Sequence, residues 1–229
     1  MIKNVIFDLY GTLIDIWTDE SYDGFFEKIE ELFKCYKDLK GHLKELYLTK
    51  CQEKQELIEE IDLLEVFKEI YEVDDKKAYE IALTFRMLSL NNISLYPKVT
   101  WLLEKLKKKG YKIFLLSNAQ RCFTIFELHA LDIDKYFDKI YLSSDYGMRK
   151  PNHEFFMRPI LDYDLLKPET LMIGNDCYTD IKGSLEVGLK TIYIETETST
   201  KNVIKPDIKG FKAKKIYRKI KSFKWSKRS

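Results

Sequence analysis

Val5-Ile6-Phe7-Asp8-Leu9-Tyr10-Gly11-Thr12-Leu13-Ile14-Asp15 is the stretch that decides the fold of this chain. A short apolar run delivers a carboxylate into a turn made of glycine and threonine. An α/β sheet presents a nucleophile in this way, at the carboxyl end of a strand. Three later segments carry matching chemistry: Ser117-Asn118, Lys150-Pro151, and Gly174-Asn175-Asp176 followed by Asp180. One such segment alone is weak evidence; four in this order are strong.

Working outward, residues 2–8 and 111–117 are short, apolar and rich in β-branched or aromatic side chains, as buried parallel strands are. Similar runs occupy 139–142, 171–173 and 191–194. Between them lie helical segments. One runs from Pro97 to Lys109, starting on proline and stopping at Gly110, and another from Asp180 to Leu189 carries Gly188 near its end. Pro159 falls inside the helix expected after Asn152, where it would kink the backbone. Strand and helix alternating from residue 97 onward predict an α/β fold, a doubly wound, Rossmann-like parallel sheet.

The interval before Pro97 breaks that alternation. Phe25, Phe26, Ile29, Leu32, Phe33 and Tyr36 recur at helical spacing, as do Leu43, Leu46 and Tyr47. Leu57, Ile58, Ile61 and Leu64 do the same, and Ala78, Tyr79, Ala82 and Leu83 suggest a further helix. No strand stands out there. The expected organisation is a core domain of residues 1–15 and 95–229 with an all-helical insertion of residues 16–94. The aromatic residues of the insertion are expected to pack its core.

Bulk properties narrow the function. Across 229 residues the formal net charge is +2, so the chain as a whole has no reason to seek nucleic acid or an anionic membrane. Its longest apolar runs, such as Ile113 to Leu116, are too short to span a bilayer. Met1-Ile2-Lys3 leads straight into the first strand, with no room for a secretory signal. Cys35, Cys51, Cys122 and Cys177 show no paired spacing, which fits free thiols in a reducing cytoplasm. His42, His129 and His153 are scattered and suggest no zinc or haem site. The segment from Lys212 to Ser229 is basic, with Tyr217, Phe223 and Trp225 interspersed, and fits a terminal helix with a solvated face and a frayed tail better than a binding surface.

At the site, Asp8 ends the first strand where ligands of such sheets bind, and Gly11 permits a tight turn whose amides can point at an anion. Thr12 adds a hydroxyl. Ser117 and Asn118 end the second strand, beside Asp8 if the two strands are neighbours, although they would equally serve as a helix cap. Lys150, before Pro151 in a loop after the third strand, could neutralise both Asp8 and an anionic substrate or be one solvated charge among many. Asp176 and Asp180, four apart, would repel a third carboxylate unless a cation sat among them, and oxygen-only ligands favour Mg²⁺.

These four segments resemble, in order and across the whole chain, the four motifs of the haloacid dehalogenase superfamily of hydrolases. The helical insertion resembles that family's cap. The resemblance implies that Asp8 is a nucleophile forming a covalent aspartyl intermediate, with Ser117 and Lys150 holding the transferred group. It also implies Mg²⁺ bound by Asp8, the backbone carbonyl of Tyr10, Asp176 and Asp180, and a cap that closes over a small anionic substrate.

Two departures pull apart. Phosphatases of the superfamily carry an aspartate, their general acid and base, where this chain has Tyr10. A phenol with a pKa of about 10 can donate a proton but is a poor base near neutrality. The 2-haloacid dehalogenases resemble this chain in that tyrosine, and a halide leaves without a proton. Yet they work without metal, whereas an acidic pair is kept here. Asn175 occupies the place directly after Gly174 where aspartate is common; Asp176 is preferred as the ligand for its spacing to Asp180. The leading expectation is Mg²⁺-dependent phosphoryl hydrolysis of a small anionic metabolite, with Tyr10 or a cap residue replacing the acid. Metal-independent 2-haloacid dehalogenation is the rival, and a protein that binds a phosphorylated ligand or partner without turnover is a third possibility. A monomer and a homodimer are both compatible with the sequence.

Overall fold

The computed structural model describes residues 1–200 and 205–223. β1 (Asn4–Phe7) is buried throughout, and after the turn at Gly11 the chain enters β2 (Ile14–Thr18). Four helices follow: α1 (Phe25–Phe33), α2 (Leu43–Gln55), α3 (Leu63–Tyr71) and α4 (Asp75–Ser89). The chain returns through β3 (Leu90–Leu95) to α5 (Val99–Lys107), then β4 (Lys112–Ser117) and α6 (Arg121–Ala130). β5 (Lys139–Leu142), α7 (His153–Asp162) and β6 (Thr170–Gly174) come next. A π-helical segment, Cys177–Lys182, runs into α8 (Gly183–Glu186), and β7 (Lys190–Glu195), β8 (Ile208–Lys209) and α9 (Ala213–Ser222) complete the described chain.

Six of the strands form one sheet in the order β5-β4-β1-β6-β7-β8, with every neighbouring pair parallel. β1 is central: Phe7 lies opposite Leu115 of β4 on one side and Ile173 of β6 on the other. Helices cover both faces, so the strands are apolar on both sides. Val5, Phe7, Leu115 and Ile173 belong to one core, Ile6, Phe114 and Met172 to another. The doubly wound α/β architecture expected from the alternation is thus present, and all the functional segments leave the sheet at its carboxyl end.

The insertion has a core of its own. Phe25 stacks edge-on against Phe85 with ring centroids 4.9 Å apart, and Phe67, Ile70 and Ile81 fill the space around them. Full burial of each such side chain contributes about 2 kcal/mol. Asp62 caps α3 by accepting from the Leu64 amide, and Asp74 caps α4 by accepting from that of Lys77. Cys122 and Phe123 of α6 join this cluster, docking the helices onto the sheet layer.

Several expectations are corrected. Residues 16–94 are not all-helical: β2 pairs antiparallel with β3, Ile16 opposite Ile93, as a two-stranded ribbon carrying the chain out and back. It escapes a sequence reading because Asn91 and Asn92 face solvent and interrupt any alternation. Leu57 and Ile58 are exposed in a connection rather than on a helix, which begins only at Leu63 after the Asp62 cap. The helix expected from Asp180 starts instead at Cys177 with π geometry. β8 was not anticipated; two residues carry no periodicity. α7 continues through Pro159. The basic terminal helix is present, with Ile216 and Ile220 buried, whereas Trp225 lies outside the described residues.

Candidate active site

Asp8 follows β1 at the carboxyl end of the sheet, its amide donating to the Ile173 carbonyl 3.0 Å away. The turn after it closes on itself: the Gly11 amide donates to Ile14 O and the amides of Thr12 and Leu13 donate to Leu9 O. Gly11 has φ +79°, and a Cβ there would lie 2.1 Å from Thr198 Oγ1 and 2.3 Å from Asn175 Nδ2. Both backbone and space therefore demand glycine. Thr12 Oγ1 donates to Asp8 Oδ2 at 2.8 Å, and Ser117 Oγ lies 3.4 Å from Oδ1.

Lys150 arrives from the loop after β5 and is only 2% exposed. Its ammonium donates to Asp8 Oδ1 at 2.7 Å and to Asp180 Oδ1 at 2.6 Å. Asn118 fixes this lysine through the backbone, its Nδ2 donating to Lys150 O and its Oδ1 accepting from Lys150 N. Gly174 lets Asp180 close in; a Cβ there would sit 2.3 Å from the carboxylate. Burial works against the Lys150 charge, but the Asp180 and Asp8 carboxylates outweigh it and the ammonium is held protonated. Burial pushes the Asp180 carboxyl upward, against the opposing pull of Lys150. One cation thus serves two carboxylates, one of which burial disfavours in its charged form.

The sequence-predicted residues do not all converge. Asp8, Thr12, Ser117, Lys150 and Asp180 come together, and Asn118 lies against them as the clamp on Lys150. Asp176, expected beside the cation, turns elsewhere: Oδ1 accepts from the amides of Tyr178 and Thr179 and from Thr179 Oγ1, while Oδ2 accepts from Thr200 Oγ1. It caps the π-helical segment. Burial alone would raise its pKa, but those hydrogen bonds, led by the Thr179 amide, hold it below the usual carboxylate range. Asp180 is likewise committed, to Lys150 and to the Asp176 amide, 3.0 Å from Oδ2. Among the described residues no group of three His, Cys, Asp or Glu side chains gathers as a metal site. The place facing Asp8 belongs to Asn175, whose inner amide atom lies 3.3 Å from both Asp8 Oδ2 and the Tyr10 carbonyl. A hard cation fits this donor set only through Asp8, the Tyr10 carbonyl and an Asn175 oxygen turned inward, one carboxylate and two neutral oxygens.

Tyr10 is also placed differently from the expectation of an acid over the substrate. Its phenol donates to Glu127 Oε2 and lies 2.9 Å from Thr124 Oγ1, both on α6. Arg86 of α4 reaches the same Glu127, Nε to Oε1 2.5 Å, and lies over the Tyr10 and Phe123 rings. Burial, reinforced by the Glu127 charge, pushes the Tyr10 phenol far above its ordinary value. A phenol so held neither donates nor accepts a proton readily near neutrality. Nothing in the sequence singles out Glu127 or Arg86.

The residues Asp8, Ser117, Lys150, Asn175 and Thr198 line a cleft of about 250 Å³. A second chamber of about 300 Å³ shares Tyr10, Ile16 and Asn118 with it and adds Arg86, Gln120 and Glu60. Glu60 comes from the connection between α2 and α3. Its Oε2 accepts from Ser143 Oγ at 3.0 Å and its Oε1 from Gln120 Nε2 at 3.2 Å, and burial raises its carboxyl above the ordinary range. Glu60 carries no signal in the sequence, because one acid among many in a polar connection has no distinguishing pattern.

The model of the family described as "Haloacid dehalogenase-like hydrolase" matches residues 5–194. A ribulose-1,5-bisphosphate 5-phosphatase of Halopiger xanaduensis is 30% identical over 106 residues, 46% of this chain and 44% of that protein, so the chain spans less than half of that relative's length. Pyrophosphatase PpaX of Bacillus mycoides is 27% identical over 199 residues, 84% of this chain and 83% of the relative. In structure, a 2-haloacid dehalogenase from Pseudomonas syringae superposes with a TM-score of 0.65 at 19% identity, covering 95% of this chain and 97% of that one, a likeness of fold. Among the described residues no helix is long and apolar enough to cross a membrane.

Proposed function

This chain belongs to the haloacid dehalogenase-like hydrolases, and on that premise we propose that it hydrolyses a small phosphorylated metabolite in the cytoplasm through a covalent intermediate on Asp8. The observation that carries this reading is the buried Lys150 ammonium 2.7 Å from Asp8 Oδ1. Residues distant in sequence hold one carboxylate at a strand end, open to a cleft. Relatives named as a sugar-bisphosphate phosphatase and a pyrophosphatase support the phosphoryl substrate, and four free cysteines suit a reducing compartment.

In this reading Asp8 attacks phosphorus. The bond to the leaving oxygen breaks and an acyl phosphate forms on the carboxylate. Lys150 and Ser117 hold the phosphoryl oxygens, and Asn118 keeps Lys150 in place. Tyr10 is committed to Glu127, so we assign protonation of the leaving alkoxide to Glu60, which lines the adjoining chamber and whose carboxyl burial pushes toward its neutral form. Water, giving its proton to the Glu60 carboxylate left by the first step, then attacks phosphorus; the bond to the Asp8 oxygen breaks, inorganic phosphate leaves and the Asp8 carboxylate is regenerated. Mg²⁺, held by Asp8, the Tyr10 carbonyl and Asn175, would supply charge neutralisation at the transferred group when bound. Residues 16–94 act as the cap, swinging on the β2–β3 ribbon to exclude water.

One observation favours a second reading. A single carboxylate at the would-be cation position, with a tyrosine two residues after it, suits carbon–halogen hydrolysis: Asp8 attacks carbon, halide departs with the bonding pair, and the ester is hydrolysed. A panel of phosphate esters and 2-haloacids, each with Mg²⁺ or with chelator, separates the two. Phosphate release that Asp8→Asn abolishes supports the first; halide release indifferent to chelator replaces it with the second.

A further inference from the structure

Asn175 sits where oxygen atoms converge. The inner atom of its amide lies 3.0 Å from Thr12 Oγ1 and 3.3 Å from both Asp8 Oδ2 and the Tyr10 carbonyl, and its outer atom lies 3.1 Å from Thr198 Oγ1. The Thr12 hydroxyl has a single hydrogen, and the 2.8 Å contact to Asp8 Oδ2 takes it. Every group facing the inner amide atom therefore offers lone pairs. An oxygen turned inward would add a further acceptor to a ring of acceptors, an arrangement that only a cation relieves. A nitrogen turned inward donates to that ring, while the outer oxygen accepts from Thr198.

We propose that Asn175 is a two-way amide that stands in for the divalent cation. In the metal-free protein its NH₂ group points inward, donating among Asp8, Tyr10 and Thr12, and holds the Asp8 carboxylate in attacking position. Only when a hard cation arrives does the amide rotate its oxygen inward. The cation must then displace hydrogen bonds already made, and it finds one carboxylate where an aspartate at residue 175 would give two. Metal binding is consequently weak and the nucleophile is organised without it. The confined space supports this: Gly11 has no room for a Cβ because Asn175 and Thr198 fill it, so the amide is held in place and its two orientations share the same partners. The proposal rests on Asp8 being the nucleophile of the family reading but not on which bond it breaks.

The test is binding, read apart from turnover. Wild-type protein and Asn175→Asp are titrated with Mn²⁺, free ion being followed by electron paramagnetic resonance, and melted with and without Mg²⁺. Wild type should bind only at about 1 mM or weaker, and Asn175→Asp at least ~10-fold tighter, since affinity follows ligand charge. Without metal the variant should melt below wild type, because two carboxylates then face each other. Saturating Mg²⁺ should raise its melting temperature by roughly 5 °C or more while leaving wild type nearly unmoved. If the variant does not fold without metal, the wild type still decides. In ¹⁵N-labelled metal-free protein the Asn175 side-chain NH₂ should resist solvent exchange. Wild-type Mn²⁺ affinity equal to that of the variant, or a freely exchanging Asn175 amide, would overturn the proposal.

Discussion

Two clusters of buried charge lie on either side of Tyr10, and they are balanced differently. In the first, one ammonium, Lys150, serves two carboxylates, Asp8 and Asp180, at the mouth of a cleft. In the second, one guanidinium, Arg86, meets one carboxylate, Glu127, with the Tyr10 phenol and Thr124 completing the hydrogen bonds. The closed cluster joins α4 of the insertion to α6 of the sheet layer. The open one sets two carboxylates around a single ammonium where chemistry would occur. The lesson is that burial of an ion pair does not reveal its purpose; the count of charges and the direction it faces do.

Removing one member of each cluster should therefore give opposite outcomes. Asp8→Asn leaves Lys150 and Asp180 as a balanced pair, so its melting temperature should equal or exceed that of wild type while turnover falls at least ~10³-fold. Glu127→Gln leaves Arg86 buried without its counter-charge and should cost about 3–5 kcal/mol of stability. Adding Arg86→Met should recover most of that loss. Denaturant unfolding of the single and double variants measures both. Equal destabilisation by Asp8→Asn and Glu127→Gln would erase the distinction between the clusters.

The open cluster was largely legible in the sequence and the closed one was not. Asp8, Ser117 and Lys150 announce themselves because strand ends have fixed direction: an apolar run followed by a polar residue can place that residue in only one location. The sheet was legible for the same reason. Asp176 was misleading because a spacing of four says that two residues share a helix face, not which of them caps its start. The backbone decides that, and Asn175 takes the inward position because it is the first residue beyond Gly174. Glu127 and Glu60 depend on how the insertion docks, and contacts between separately patterned units leave no period to read. The β2–β3 ribbon was missed because exposed asparagines hide its alternation.

Glu60 offers a sharper test of how the insertion contributes to the open cluster. Glu60→Gln should slow hydrolysis of alkyl phosphates by ~10²-fold, yet slow nitrophenyl phosphate, whose leaving group needs no proton, far less. The same variant has a pH signature. Burial raises the folded-state pKa of Glu60 above its ordinary 4.5, with the Ser143 hydrogen bond opposing. Below the ordinary value both folded and unfolded chains hold the proton, and glutamine is a fair mimic. As pH rises through the window up to the raised value, the unfolded chain releases its proton first, so wild type loses stability relative to the variant. Melting curves should nearly coincide in acid and separate toward neutrality, with glutamine ahead. An equal slowing of alkyl and nitrophenyl esters would assign Glu60 to positioning rather than proton donation.

The smallest effect is expected at Tyr10, the residue the clusters share as a boundary. Its phenol donates to Glu127, but Glu127 keeps Arg86 when that hydrogen is gone, and Thr124 can turn its hydroxyl to the vacated side. Tyr10→Phe preserves the ring beneath Arg86 and the backbone carbonyl that faces Asn175. It should cost about 1–2 kcal/mol, a hydrogen bond to a charged acceptor, and leave turnover within roughly threefold of wild type. A tyrosine that delivered the proton to the leaving group would instead lose ~10²-fold or more on alkyl esters, and the loss would vanish on nitrophenyl phosphate. Leaving-group dependence in Tyr10→Phe and its absence in Glu60→Gln would exchange the roles of the two residues. Were that exchange observed, the closed cluster would belong to the chemistry, and the contrast between a one-to-one joint and a site with two carboxylates around one ammonium would no longer hold.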